Sequence, residues 1–316
     1  MSRSVPLDPS IFRPDAIAED TKRINELVEG LLATVTPTNA RQPPEIRAER
    51  EAGTGVFPPL ILLPEAQERF VEGPAGRINL RVFIPEKAEC VYLHIHGGGW
   101  VLGAAHHQDP LLKLIAENCN AAVLSVDYRL APENPYPAGP DDCEAAAVWL
   151  VKNCVSEFGT DKLMIGGESA GAHLSAVTLL RLRDKHGCTD FRAANLVFGA
   201  FDLSFTPSTR NWGERNLILN TPIIEWFSNH FVPAARRQDP DVSPLYADLR
   251  DMPPALFTVG TLDPLLDDSL FMHDRWIAAG NQAELAVYPG CIHGFTAFPN
   301  EAGRTATLRQ LAFLNR

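Results

Sequence analysis

The sequence is short of several features that would mark other kinds of protein. No apolar stretch approaches the ~20 residues that a membrane-spanning helix needs. The six cysteines are scattered and form no C-x-x-C pair, so free, buried or semi-buried thiols are expected rather than a disulfide framework. Basic residues are scarce: 28 Lys and Arg stand against 39 Asp and Glu, for a formal net charge of −11. A field of that sign disfavours phosphate backbones and anionic membranes, so neither nucleic-acid binding nor membrane insertion is expected. No G-x-G-x-x-G occurs and no glycine-rich loop ends in Gly-Lys-Ser/Thr, which argues against dinucleotide and P-loop sites. Met1 to Asp20 carries Pro6, Pro9, Pro14 and several acids, with no basic start leading into an apolar run. No signal peptide is therefore expected, and the expected location is the cytoplasm. Internal repeats and low-complexity tracts are also lacking.

What is present is an ordinary globular composition. Of 316 residues, 45% are hydrophobic and 21% charged, which excludes a disordered chain and allows one large α/β domain or two smaller ones. Ala16 to Thr34 places Ile17, Ile24, Leu27, Val28, Leu31 and Leu32 on one helical face. Pro37 to Pro64 is Pro-rich and charged, and reads as a short helix or loop. From Arg69 onward, strand and helix signals alternate. Strands are expected at Ile78 to Ile84, Cys90 to Ile95, Ala121 to Val126, Leu163 to Gly166, Ala194 to Phe198, Ala255 to Val259 and Leu285 to Tyr288. Helices are expected at Pro110 to Cys119, Asp141 to Cys154, Ala170 to Lys185, Leu270 to Ala279 and Thr305 to Leu314, with Asp141 or Asp142 as an N-cap. Such alternation predicts βαβ units and a mostly parallel sheet. Asp202 to Pro254 is too long for a plain loop and reads as an insertion folded over the sheet's C-terminal edge, with a helix starting at Thr221-Pro222.

The strongest local signal is Gly167-Glu168-Ser169-Ala170-Gly171, between an apolar strand and a helical run. It fits G-x-S-x-G, a sharp strand-to-helix turn that lifts a serine hydroxyl above the sheet and needs small neighbours because the chain nearly touches itself. Ser169 is thus the candidate nucleophile. His96-Gly97-Gly98-Gly99-Trp100 follows a strand directly, and its glycines can offer bare backbone N–H groups to an oxyanion. The serine needs a base, and the base an orienting acid. Of nine histidines, His293 stands in a loop just after the last strand, at the edge where such a base belongs. Asp263 follows the preceding strand at the same edge, whereas Asp267 and Asp268 suit the start of the next helix. The order Ser169, Asp263, His293 is that of α/β-hydrolases. A metal site at His94-x-His96 with His106 and His107 is disfavoured, because no acidic ligand appears at the right spacing.

Five segments in register now carry a resemblance: His96 to Trp100, Asp127-Tyr128-Arg129-Leu130-Ala131-Pro132-Glu133, Gly167 to Gly171, Asp263-Pro264-Leu265-Leu266-Asp267 and His293-Gly294-Phe295. The chain resembles the hormone-sensitive-lipase family of α/β-hydrolases, also called bacterial family IV carboxylesterases. That resemblance implies an α/β-hydrolase fold, with a mostly parallel eight-stranded sheet, flanking helices and a helical cap. It implies a cap built from residues 1–65 and an insertion at about 203–240, with residues 66–316 as the catalytic domain. Oxyanion donors fall on Gly98, Gly99 and Ala170, and Arg129 and Glu133 take structural roles. Trp100, then Phe201 and Phe205, are the expected substrate contacts. The family usually places Asp or Thr before the nucleophile, where this chain has Glu168. The implied activity is hydrolysis of short- to medium-chain carboxylic esters through an acyl-enzyme, with no metal or organic cofactor. A homodimer through the sheet edge or last helix is compatible with the resemblance. The same triad also suits an amide, formamide or lactone hydrolase. A noncatalytic small-molecule receptor on this scaffold would have lost a triad member, and all three are here.

Overall fold

Period-two burial sorts the strand residues onto two faces, and the sheet forms where those faces can both be covered. The computed structural model describes residues 7–55 and 59–316. Met1–Pro6 and Val56–Pro58, which fall within the stretch assigned to the cap, lie outside the described residues. The strands are β1 (Gln67–Gly73), β2 (Gly76–Phe83), β3 (Cys90–Ile95), β4 (Ala121–Asp127), β5 (Leu163–Glu168), β6 (Phe191–Val197), β7 (Ala255–Leu262) and β8 (Ala283–Ile292). They make one eight-stranded sheet in the order β1-β2-β4-β3-β5-β6-β7-β8. β2 pairs antiparallel with β1 and β4, and every pairing from β4 to β8 is parallel. The helices are α1 (Glu19–Leu32), α2 (Pro43–Ala52), α3 (Asp109–Cys119), α4 (Ala138–Phe158), α5 (Ala170–His186), α6 (Pro207–Asn211), α7 (Thr221–Phe231), α8 (Leu266–Ala278) and α9 (Glu301–Leu314). Among the described residues, no helix is long and apolar enough to cross a membrane.

All of β3 is buried, and its side chains divide between two cores. Val91, Leu93 and Ile95 join residues of α4 and α5, while Cys90 and Tyr92 join residues of α3 and α9. β1 was not separately expected. Only Val71 of its residues is buried, so it carries no alternating apolar signal. α4 begins earlier than its sequence suggests, after Pro137, and no side chain caps it. Asp142 is instead buried against Arg129, whose Nε and Nη2 donate to its two carboxylate oxygens, each at 2.8 Å.

α1 also differs from its expected face. Leu27 and Leu31 are exposed, while Val28 packs with Leu217 and Ile292. The helix is turned because its polar residues are engaged: Asn25 Nδ2 donates to the Gly290 carbonyl at 2.7 Å, across 265 residues of chain. Asp20 accepts from the Glu301 N–H at 3.0 Å, and Ile17 lies so near Gly290 that a Cβ there would collide with it.

The segment between β6 and β7 carries α6 and α7. Asn220 caps α7 by accepting from the Ile223 N–H at 2.9 Å. The segment's root is held by Asp268 of α8, which is fully buried. Asp268 accepts from Phe201 N at 2.6 Å, Asp202 N at 2.8 Å and Thr206 Oγ1 at 2.7 Å. Asp267 accepts from Ser208 N. These acids hold the segment rather than merely facing a helix dipole. Burial pushes the Asp268 carboxyl up to about 7, against the three hydrogen bonds that favour its ionised form. An unfolded aspartate titrates near ~3.9. Between those values the folded chain keeps a proton that the unfolded chain has released, so this group's contribution to stability falls as pH rises through about 7. Asp268→Asn keeps an acceptor for both backbone N–H groups and cannot ionise. Urea midpoints measured from pH 4 to pH 8 are expected to decline less steeply for this variant than for the wild type. An unchanged slope would remove Asp268 as the cause.

Candidate active site

The site begins with a steric necessity at the end of β5. A Cβ at Gly167 would stand 2.0 Å from the Ile95 carbonyl oxygen, and one at Gly171 would stand 1.8 Å from the same atom. Only glycine fits at both places, so the chain can turn sharply between them. Ser169 occupies the turn with φ 57° and ψ −120°, a strained backbone for a residue with a Cβ. Its N–H donates to the Val197 carbonyl at 2.9 Å, and α5 starts at the next residue.

Two loops at the same sheet edge complete a hydrogen-bonded chain. Ser169 Oγ lies 2.9 Å from His293 Nε2, and His293 Nδ1 lies 2.9 Å from Asp263 Oδ2. Asp263 Oδ1 accepts from the Leu265 N–H at 2.9 Å, which fixes the carboxylate's plane. Asp263 and His293 are both buried. Phe198, at the exit of β6, meets the His293 ring at 4.8 Å between centroids.

The glycine loop after β3 is pressed close on several sides. A Cβ at Gly98 would stand 2.1 Å from the Leu102 carbonyl oxygen, and one at Gly99 would enter the Phe227 ring. Tyr128 stacks on the His96 ring and donates from its hydroxyl to the His96 carbonyl at 3.0 Å. Burial pushes His96 down to about 4, so its ring is neutral near pH 7, and its Nδ1 lies 2.8 Å from the Gly97 carbonyl. Arg47 of α2 donates to the carbonyls of Val101 and Ala131 at 2.8 and 2.6 Å and forks onto Glu133. Arg129 and Glu133 thus have separate partners, Asp142 and Arg47. Each holds a different neighbour beside the loop.

Gly98, Gly99 and Ala170 border a cavity of about 590 Å³ together with Ser169 and His293. Its walls include Leu32 and Ile46 from the N-terminal segment, and Ile218, Leu219, Ile224 and Phe227 from the segment between β6 and β7. The expected aromatic contacts need correction. Phe201 is fully buried, edge-on to Phe257, and is not among the lining residues. Phe205, at φ 75°, turns toward the Arg237 guanidinium and also lies off the cavity. Trp100 borders the cavity, but the residue is only 4% exposed, and its indole stacks on Phe231 and donates to His173 Nδ1 at 3.0 Å. It supports the loop from behind. Phe198 and Phe227 are further aromatic side chains that line the cavity; the sequence does not single out Phe198, although it ends the strand beside the serine turn.

Glu168 reaches back rather than forward. Its Oε2 lies 3.1 Å from Nε2 of the buried His94, whose Nδ1 lies 2.8 Å from Ser125 Oγ. The register that sets His94 beside Gly166 brings these groups together. His94 is thereby held by Glu168 and Ser125, and among the described residues the four histidines do not gather into one metal site.

The sheet order, the serine turn and the Ser169–His293–Asp263 chain define an α/β-hydrolase. The family model described as the alpha/beta hydrolase fold matches residues 92–297. Carboxylesterase NlhH of Mycobacterium tuberculosis is 34% identical over 332 aligned positions, covering 98% of each chain. An acetyl esterase of Salmonella schwarzengrund is 30% identical over 71% of each. A hyperthermophilic esterase from Pyrobaculum calidifontis superposes with a TM-score of 0.84 at 30% identity, over 93% of this chain and 97% of its own. Within the α/β-hydrolase superfamily, the chain belongs to the hormone-sensitive-lipase family, the bacterial family IV carboxylesterases.

Proposed function

We propose that this carboxylic ester hydrolase cleaves short- to medium-chain esters by two-step acyl transfer, with Ser169 as nucleophile. The observation that carries this reading is the unbroken Ser169–His293–Asp263 chain, 2.9 Å at each link, opening onto the cavity beside the glycine loop. His293 Nε2 takes the Ser169 proton as Oγ attacks the ester carbonyl. Backbone N–H groups of Gly98, Gly99 and Ala170 receive the oxyanion. Asp263 holds the tautomer of His293 and stabilises the imidazolium. His293 then passes the proton to the departing alcohol. Water, deprotonated by His293, attacks the acyl-enzyme; the bond from the acyl carbon to Ser169 Oγ breaks, His293 returns the proton to Oγ, and the acid leaves.

Residues 1–65 and about 203–240 act as the cap, a role supported by their share of the cavity wall. A volume of about 590 Å³ lies within the ~300–1,000 Å³ of pockets that enclose small organic ligands. The proposed location is the cytoplasm, where free thiols such as the six cysteines stay reduced. The test is a chain-length series of p-nitrophenyl esters, from acetate through octanoate to palmitate, beside emulsified long-chain triglyceride. The expected profile peaks at short or medium acyl groups. Faster turnover of the emulsified triglyceride would overturn the size assignment. No turnover of any ester would shift the reading to an amide or lactone substrate.

A further inference from the structure

One group of metal-ligating side chains outside the triad joins two distant parts of the chain. Glu51 lies in the last turn of α2, and His106 and His107 lie in the single turn Ala105–Gln108 that leads into α3. His106 Nε2 stands 3.1 Å from both carboxylate oxygens of Glu51, and His107 Nε2 stands 2.6 Å from Oε1. The two imidazole rings meet edge to face, 4.6 Å between centroids. One donor atom from each of the three residues lies within 4.8 Å of the others.

Two imidazole nitrogens and a carboxylate oxygen are the donor set preferred by borderline divalent ions such as zinc. With bonds of ~2.0–2.2 Å, ligand atoms around a tetrahedral ion stand about 3.3 Å apart. The two histidine–carboxylate separations need to open only slightly to reach that value. Glu51 is half exposed, so an ion can enter from solvent and water can complete its shell. The acidic ligand missing near these histidines in sequence is supplied by α2, 55 residues earlier.

We propose that Glu51, His106 and His107 form a binding site for a divalent transition-metal ion of the zinc class. None of the three belongs to the Ser169 chain, so the ion acts as a clasp and not as a Lewis acid on the ester. It ties α2 to the turn that follows the glycine loop. Glu49, Arg50 and His107 border the cavity, so the clasp closes over its rim. Metal loading therefore stabilises the fold and changes KM more than kcat.

The test uses zinc chloride and the full-length chain, followed by calorimetric titration and thermal melting. The expected result is one zinc per chain and a melting temperature that rises with zinc. Loss of an outer-shell partner alone weakens metal binding about 10–100-fold, so His106→Gln, His107→Gln and Glu51→Gln are each expected to weaken it at least that much. His293→Asn should bind zinc as the wild type does. The proposal is overturned if the wild type shows no saturable binding, if binding survives the glutamine variants, or if His293→Asn abolishes it. Should a variant fail to fold, proton NMR of the Co²⁺-loaded wild type counts shifted imidazole signals. Two histidine ligands support the site, and any other number overturns it.

Discussion

Ser169→Ala is expected to lower kcat for p-nitrophenyl butyrate by about a millionfold, the scale seen when a triad nucleophile is removed. The alanine removes only Oγ, the atom 2.9 Å from His293 Nε2, and leaves the turn between Gly167 and Gly171 intact. The fold should therefore survive, and unchanged circular dichroism should accompany the loss. Stopped-flow traces on the wild type should show a burst if deacylation limits turnover, and the variant should show none. The residual rate should still exceed that of water, because the glycine loop and cavity remain to bind the ester and its oxyanion. A variant that kept most of its turnover would remove Ser169 as nucleophile.

Asp263→Asn is expected to cost about 10⁴-fold in kcat with little change in KM. The new side chain has one oxygen and one NH₂ group. The Leu265 N–H, which donates to Oδ1 at 2.9 Å, demands the oxygen. The NH₂ group is thereby turned toward His293 Nδ1, which must accept a hydrogen bond and carry its own proton on Nε2. That proton points at Ser169 Oγ, and the histidine cannot act as base. A variant with near-normal kcat would show that the carboxylate does not set the tautomer. Comparing kcat and KM separately distinguishes this from a collapsed site, which would damage both.

The parts of the site that could be read from sequence are those governed by local sterics. Gly167 and Gly171 are required by a single carbonyl, that of Ile95, and their spacing around Ser169 survives as a five-residue pattern. Asp263 and His293 could be found because each follows a strand at the same sheet edge. Side-chain direction beyond the strand ends could not be read so easily. Phe198 and Phe205 have positive φ values, 38° and 75°, so strand alternation no longer says which way neighbouring rings point. This is how Phe201 came to face the core and Phe198 the histidine. β1 was hidden because a strand at the sheet edge with one buried residue has no period-two signature. Glu168 was recognised as a departure, but its partner depended on the register of β3 against β5. The contact between Glu51 and the histidine pair is likewise a matter of tertiary packing, invisible to spacing.

The tie between Asn25 and Gly290 has a consequence in time. The two residues are 265 positions apart, and a ribosome adds about 5–20 residues per second, so α1 exists for tens of seconds before its anchor is made. For most of that interval Val28 lacks Leu217, and for all of it Ile292, so its side chain faces water or a chaperone. His293 leaves the ribosome shortly after Gly290. The N-terminal arm and the proposed catalytic base thus take their places in the same late step, and the nascent chain stays inactive until His293 has emerged.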